Sequence, residues 1–464
     1  MSRILLVGLD CAAPRFAFER YADSMPCLSA LRARGASGVL RSCEPPITVP
    51  AWTTMLSGRD PGELGLYGFR NRLRGSYDLA TASSKDVKEK RVWDRLGEAG
   101  RTVAALFVPL TYPPTPVRGT MVSCFLTPDD APRKTFPPSL GAELEARFGP
   151  YRADVREFRT DDKARVFDEL VAMTDQHFAI ARHVWNEKRP DFLAMVEMGP
   201  DRLHHAFYAH MDPSHPAYAP ESPWADHGRR YYAHLDARLG ELLADTSPDD
   251  HVLVVSDHGA RPMLGGVAVN ELLRREGFLA LRDEPTEPVA LREAGVDWAR
   301  TRAFGEGGYY ARIFLNVAGR DPEGVVAPED VPRERERLRA LFTSLPGPDG
   351  RPMANRVVAP DEVYRRVRGE APDLLVYLGD LDYRSIGTVG HGRIHLPTND
   401  TGPDACNHDW AGLVVAAGPR IPAGARLEGA ELLDVARTLL ELADVPAPAE
   451  LGGTSLLARL GPPR

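Results

Sequence analysis

Three short apolar runs, at residues 4–9, 192–198 and 251–256, each lead directly into residues that carry chemistry. Asp10 follows the first, Asp201 and His205 lie just beyond the second, and Asp257 and His258 follow the third. Runs of this length and apolar character read as buried strands, and strand ends of this kind open onto a ligand crevice at one edge of a sheet. Segments with helical apolar spacing alternate with them at residues 25–35, 92–100, 161–185, 231–244 and 430–443, and further strands are expected at 37–42, 103–108 and 413–417. The chain is therefore expected to be an α/β protein whose functional groups gather at strand ends.

A further stretch, PPITVPAWTTMLSG at residues 45–58, places Thr48 just before a helix expected to begin at Pro50. The unpaired N–H groups at such a helix mouth favour an anion such as phosphate, and a hydroxyl nucleophile would fit there. Taken alone, Thr48 reads as an ordinary helix cap. Asp201 and His205, four residues apart, share one face of a helix, which suits either two ligands of one metal or a plain ion pair. Asp257-His258-Gly259 makes a metal-binding corner or a simple turn, and His408 stands in Asn407-His408-Asp409-Trp410 ahead of a strand. Together, Asp10, Thr48, Asp201, His205, Asp257, His258 and His408 make two mixed nitrogen and oxygen sites, with zinc the first expectation and manganese or iron the alternatives. His210, Asp212 and His215 read as loop residues, as do His391 and His395, which could touch substrate.

The alternation loosens between residues 261 and 400, where helices are expected at 270–278 and 333–345 and strands at 311–317 and 374–378. An insertion of this length between site elements usually forms a cap that shapes the substrate pocket. The expected division is a core of residues 1–260 and 401–464 with a cap of 261–400. Residues 64–90 read as an excursion over the surface, and the proline-rich continuation of the 103–108 strand reads as loop.

Composition narrows the function. With 57 basic and 65 acidic residues, a net charge of −8 and no long Lys/Arg run, a nucleic-acid polymer is not the expected partner. Five cysteines without a C-x-x-C pair argue against a disulfide framework or a thiolate zinc site, and a reducing, cytoplasmic setting is expected. No apolar stretch approaches the ~20 residues of a membrane helix, and residues 1–10 do not read as a secretory signal. Oligomeric state is left open.

The chain resembles the alkaline phosphatase superfamily, in particular its nucleotide pyrophosphatase/phosphodiesterase branch and the predicted phosphohydrolase/phosphomutase group. The resemblance is carried in order by GLD near the start, TVPAWTTMLSG, D-x-x-x-H, SDHG, the His408 segment closing on GLVVAAGP, LLDVARTLLELADVPAP and GGTSLL. It implies a three-layer α/β/α sandwich with a largely parallel central sheet and an inserted cap. It also implies one metal held by Asp201, His205 and His408 and another by Asp10, Asp257 and His258, with Thr48 as nucleophile beside the latter. The implied activity is hydrolysis of a small phosphodiester or nucleotide pyrophosphate through a phosphothreonine intermediate. A phosphomonoesterase or phosphomutase would use the same site, and a catalytically inactive phosphometabolite-binding protein is the alternative of another class. Two departures stand out: Ala51 replaces an asparagine of many phosphodiesterase relatives, and Leu64 replaces a histidine. A sulfatase-like centre is not expected, because Cys43-Glu44-Pro45-Pro46-Ile47 lacks the arginine of C/S-x-P-x-R.

Overall fold

The computed structural model describes residues 2–461. The apolar run Ile4–Leu9 forms the middle of a ten-stranded sheet, with Phe192–Glu197 and His251–Val255 paired parallel on its two sides. All three strands are buried along their whole length, which accounts for their lack of polar alternation. Val103–Leu106 and then Gly119–Val122 extend the sheet parallel on one side. On the other side Ala411–Ala417 runs antiparallel between His251–Val255 and Ala36–Arg41. Helices cover both faces. Thr48–Ser57 packs with Leu432–Leu442 in one layer, and Lys163–His183, Gly199–Met211 and His227–Ala244 pack together in another.

Strand direction decides where the chemistry goes. The three central strands are parallel, so Asp10, the turn after Glu197 and the Asp257-His258 corner reach one edge. Ala411–Ala417 runs the other way, so its beginning lies at that same edge, and the preceding strand Cys406–Asp409 pairs with Gly259–Pro262, setting His408 opposite Ala260. His408 thus reaches the site from before its strand, whereas the others follow theirs.

Residues 267–389 contribute a separate apolar cluster built on the antiparallel sheet Ala303–Glu306, Ala311–Leu315, Leu374–Tyr377 and Arg356–Val358, with the helix Val331–Ser344 against it. Asn407 ties this part to the His408 strand, its side-chain amide donating to the carbonyls of Leu381 at 2.7 Å and Tyr309 at 3.3 Å.

Several sequence expectations are corrected. The helix after Ile47 begins at Thr48, two residues before Pro50, so Thr48 is its first residue and does not cap it. The proline-rich loop contains the sheet strand Gly119–Val122, and Ala425–Glu431, whose burial alternates, is a further unforeseen strand. Residues 64–90 do not simply cross the surface: Tyr67 is buried, and the hairpin Arg70–Arg72/Leu79–Thr81 is joined to the insertion by a buried Arg72–Asp321 ion pair. His210 lies in the last turn of Gly199–Met211, and Asp212 and His215 are buried beyond it.

Candidate active site

The seven residues singled out in the sequence lie together, all buried, at the carboxyl edge of the central strands. In one cluster His205 Nε2 is 3.3 Å and His408 Nε2 3.6 Å from Asp201 Oδ1. In the other, His258 Nε2 is 3.2 Å from Asp257 Oδ2 and 3.7 Å from Asp10 Oδ1. The His258 and His408 rings stack at 3.8 Å between centroids, so the clusters adjoin. Thr48 Oγ1 lies 3.5 Å from Asp10 Oδ1 and 3.4 Å from His258 Nε2.

Each side chain is aimed by a partner. Asp10 Oδ2 accepts from Trp52 Nε1 at 2.7 Å, and the indole reaches it by lying over Gly8, where a Cβ would come within 2.3 Å of the ring. Gly8 and Asp10 share a face of their strand, so glycine at one position lets the helix set the carboxylate at the other. His205 Nδ1 pairs with Asp404 Oδ1 at 2.9 Å, His408 Nδ1 with the Pro46 carbonyl at 2.8 Å and His258 Nδ1 with the Gly259 carbonyl at 3.1 Å. An acceptor at Nδ1 fixes the tautomer that leaves the Nε2 lone pair facing the cluster.

The donor set fits divalent cations. Asp201 Oδ1, Asp257 Oδ2 and His408 Nε2 are buried and make no hydrogen bond, an arrangement costly to maintain unless something else binds them. Burial, compounded by the charge of Asp201, pushes the Asp10 carboxyl well above its usual range, and burial with the charge of Asp10 does the same to Asp257. Burial and the neighbouring His408 keep His258 far below the ordinary imidazole value, and burial brings His408 down to about 4. In the second cluster burial opposes the charged forms, yet His205 and His408 hold Asp201 well below the usual range and Asp404 raises His205. In the first cluster a neutral His258 beside two carboxyls short of positive charge is the electrostatic counterpart of a cation site, since a bound divalent ion would reverse those two carboxylate shifts; in the second a charged His205 takes that place beside Asp201. Three carboxylates and three imidazoles also match zinc, manganese or iron better than calcium or magnesium.

Four supporting residues escaped the sequence reading. Asp404 accepts from His205 and also from Arg159 Nε at 2.8 Å and Arg384 Nη2 at 3.1 Å. Arg202 joins Asp201 to Asp154. Tyr309 comes from the insertion, its hydroxyl 3.1 Å from His205 Nε2 and its ring stacked on His408 at 3.6 Å. Trp52, which holds Asp10, stood within the quoted helix, but its partner lies 42 residues away. No local spacing marks any of these as site residues.

Comparison with known proteins bears on the family and the fold. The model of the type I phosphodiesterase / nucleotide pyrophosphatase family matches residues 4–404. Among solved structures, phosphonoacetate hydrolase from Sinorhizobium meliloti 1021 in complex with phosphonoformate superposes with a TM-score of 0.63 at 17% identity, covering 96% of each chain. Murine ectonucleotide pyrophosphatase / phosphodiesterase 5 superposes with a TM-score of 0.60 at 11% identity, covering 99% of this chain and 100% of its own. An inactive variant of the murine protein is in complex with AMP. At these identities the likeness is one of fold. No curated protein sequence matches the chain.

Proposed function

The chain belongs to the type I phosphodiesterase / nucleotide pyrophosphatase family and is a metal-dependent phosphoric ester hydrolase, and on that premise we propose that Thr48 attacks the phosphorus of a small phosphodiester or nucleotide pyrophosphate, forming a phosphothreonine intermediate. The observation that carries the reading is the position of Thr48 Oγ1, at the start of a helix and within 3.5 Å of both Asp10 and His258. In this proposal Asp201, His205 and His408 hold one cation, and Asp10, Asp257 and His258 hold the other, zinc being the first choice. Such ions supply Lewis acidity, lowering the nucleophile's pKa and offsetting charge on the attacked and departing oxygens.

The chain's own groups do the rest. As the Thr48 oxygen bonds to phosphorus its proton passes to the Asp10 carboxylate, which Trp52 holds beside it. The bond from phosphorus to the departing oxygen breaks and that group leaves, and water then cleaves the Thr48–phosphorus ester and restores the hydroxyl. No side chain caps the Thr48–Ser57 helix, so its first backbone N–H groups are open to a phosphoryl oxygen and complement the dipole there. Pro50 and Ala51 offer no polar side chain at this mouth, which leaves backbone donors to take the place of the asparagine found in relatives. Residues 261–400 act as the cap in this reading, delivering Tyr309 to the pocket. No helix among the described residues is long and apolar enough to cross a membrane. All five cysteines are free, in keeping with a cytoplasmic setting as part of the same proposal.

The test uses metal-reconstituted protein on bis(p-nitrophenyl) phosphate, with metal analysis of the same sample. Turnover abolished by chelator, about two ions per chain and a loss of at least about 10³-fold in Thr48→Ala are expected. Metal-independent turnover, or a Thr48→Ala variant as active as the parent, would overturn the assignment.

A further inference from the structure

A cavity of about 320 Å³ opens beside the cluster, bounded on the site side by Ile47, Arg202 and Tyr309. Ile47 precedes Thr48, Arg202 donates to Asp201 and Tyr309 touches His205, so whatever fills the cavity adjoins the phosphoryl position. At that volume it has room for roughly ten waters, or a substituent of several heavy atoms.

Its far wall is cationic. Arg70, from the hairpin, is exposed, and Arg312, on the facing strand of the insertion, is only 6% exposed. Arg312 donates to the Arg70 backbone carbonyl, which brings its guanidinium up to the hairpin strand that carries Arg70, and both residues line the cavity. Among the described residues neither makes an ion pair with a carboxylate, although arginines elsewhere around the site do: Arg159 and Arg384 bind Asp404, and Arg202 binds Asp154. Arg384 also lines the cavity, and its buried Nε makes no hydrogen bond. Glu306 stands in register with Arg312 on the neighbouring strand without an ion-pair contact to it, and burial pushes its carboxyl up against the opposing charges of Arg312 and Arg70, so it is a weak competitor for them. A buried guanidinium with no carboxylate in ion-pair contact is a costly arrangement unless a ligand supplies the anion, and arginine's planar fork suits a phosphate or carboxylate.

We propose that Arg312 and Arg70, with Arg384 at the rim, form a subsite for a second anionic group of the substrate, so that the preferred substrate is a phosphoric ester or anhydride carrying a further phosphate or carboxylate beyond the scissile phosphorus. This rests on the phosphoesterase reading above and narrows its substrate class. The second anion supplies no atom to the reaction. It holds the ester substituent that fills the cavity against the insertion while the phosphorus is positioned at Thr48.

The test compares three p-nitrophenyl phosphodiesters on the metal-reconstituted enzyme: the ethyl ester, the 2-phosphoethyl ester and the 2-carboxyethyl ester. Charge-assisted pairing at the subsite should raise kcat/KM for at least one anionic ester about tenfold or more over the ethyl ester. In Arg70→Gln and Arg312→Gln this ratio should fall toward one, and Arg312→Lys should restore part of it. The ratio is read within each variant, so reduced folding yield does not affect it, and the exposed Arg70 gives a variant with little risk to the core. Turnover of all three esters with ratios near one, or ratios unmoved in both glutamine variants, would overturn the subsite while leaving the phosphoesterase reading intact. Turnover of none of the three would overturn that reading first and the subsite with it.

Discussion

Replacing Asp404 by Asn tests whether the site is organised from outside its ligands. The Asp404 side chain is fully buried and accepts from His205 Nδ1 at 2.9 Å, Arg159 Nε at 2.8 Å, Arg384 Nη2 at 3.1 Å and the Cys406 N–H at 3.0 Å. Asparagine keeps the shape but removes the charge, leaving two arginines without their carboxylate. Breaking a buried ion network in this way costs about 3–5 kcal/mol, and because the amide oxygen still accepts, the lower end is expected. Loss of the acceptor that orients a metal-binding histidine typically lowers metal affinity about 10- to 100-fold, or roughly 1.4–2.7 kcal/mol. Urea denaturation of metal-free protein reads the first effect, and zinc titration against a chromophoric chelator reads the second. The pH dependence is a further signature. Although burial opposes ionisation, Arg384, His205 and Arg159 hold Asp404 well below the usual carboxylate range in the fold. A folded value below the unfolded one means a contribution to stability that is complete above about pH 4 and lost as pH falls through the folded value. The parent should therefore lose stability more steeply than the Asn variant below about pH 4. Zinc affinity within twofold of the parent in a folded variant would refute the claim that Asp404 positions His205, and parallel acid limbs would refute the charge argument.

Three other perturbations address the scaffold. Gly8→Ala places a Cβ within 2.3 Å of the Trp52 ring and should cost about 1–3 kcal/mol in urea melts while shifting tryptophan emission; an unchanged midpoint would show that the indole does not depend on that gap. Asp321→Ala leaves Arg72 buried without its partner, with an expected loss of about 3–5 kcal/mol by denaturation, unless the hairpin and insertion are independent of each other. His204, beside the site in sequence, faces the core, bonds Tyr232 at 3.0 Å and is held down to about 3 by burial. Its unfolded form takes up a proton first, so stability is complete above about pH 6.5 and falls as pH drops toward the folded value. His204→Phe should flatten that slope in pH-dependent melts, although loss of the Tyr232 bond lowers stability at pH 8 by about 1–3 kcal/mol.

Much of the scaffold was legible because burial on both faces of a central strand leaves a plain apolar signature. The runs ending at Asp10 and at Asp257 needed no partner information to be recognised, since each combines a continuous core strand with an acid at its exit. Gly119–Val122 and Ala425–Glu431 were missed for the opposite reason. The first lies in a proline-rich segment and is exposed at its start, and the second alternates polar with apolar residues, so neither carries the same signal. The polar composition of residues 64–90 likewise suggested solvent, whereas Arg72 is buried by pairing with Asp321, 249 positions away.

The sequence by itself supplied the candidate inventory: three acids, three histidines and a threonine, most of them just after an apolar run or at a helix start, where local periodicity exposes them. It could not decide which neighbour faces inward or how the ligands are held. His204 and His205 are adjacent, yet the turn of the helix sends one to Tyr232 and the other to Asp201. His408 reaches the cluster only because its following strand runs antiparallel to His251–Val255, and Asp404, Trp52 and Tyr309 become partners only through long-range packing. The physical reason is range: periodicity reports which residues are buried along one element, while hydrogen bonds and charge pairs depend on distances between elements that are set only when the sheet, its helices and the insertion close on one another.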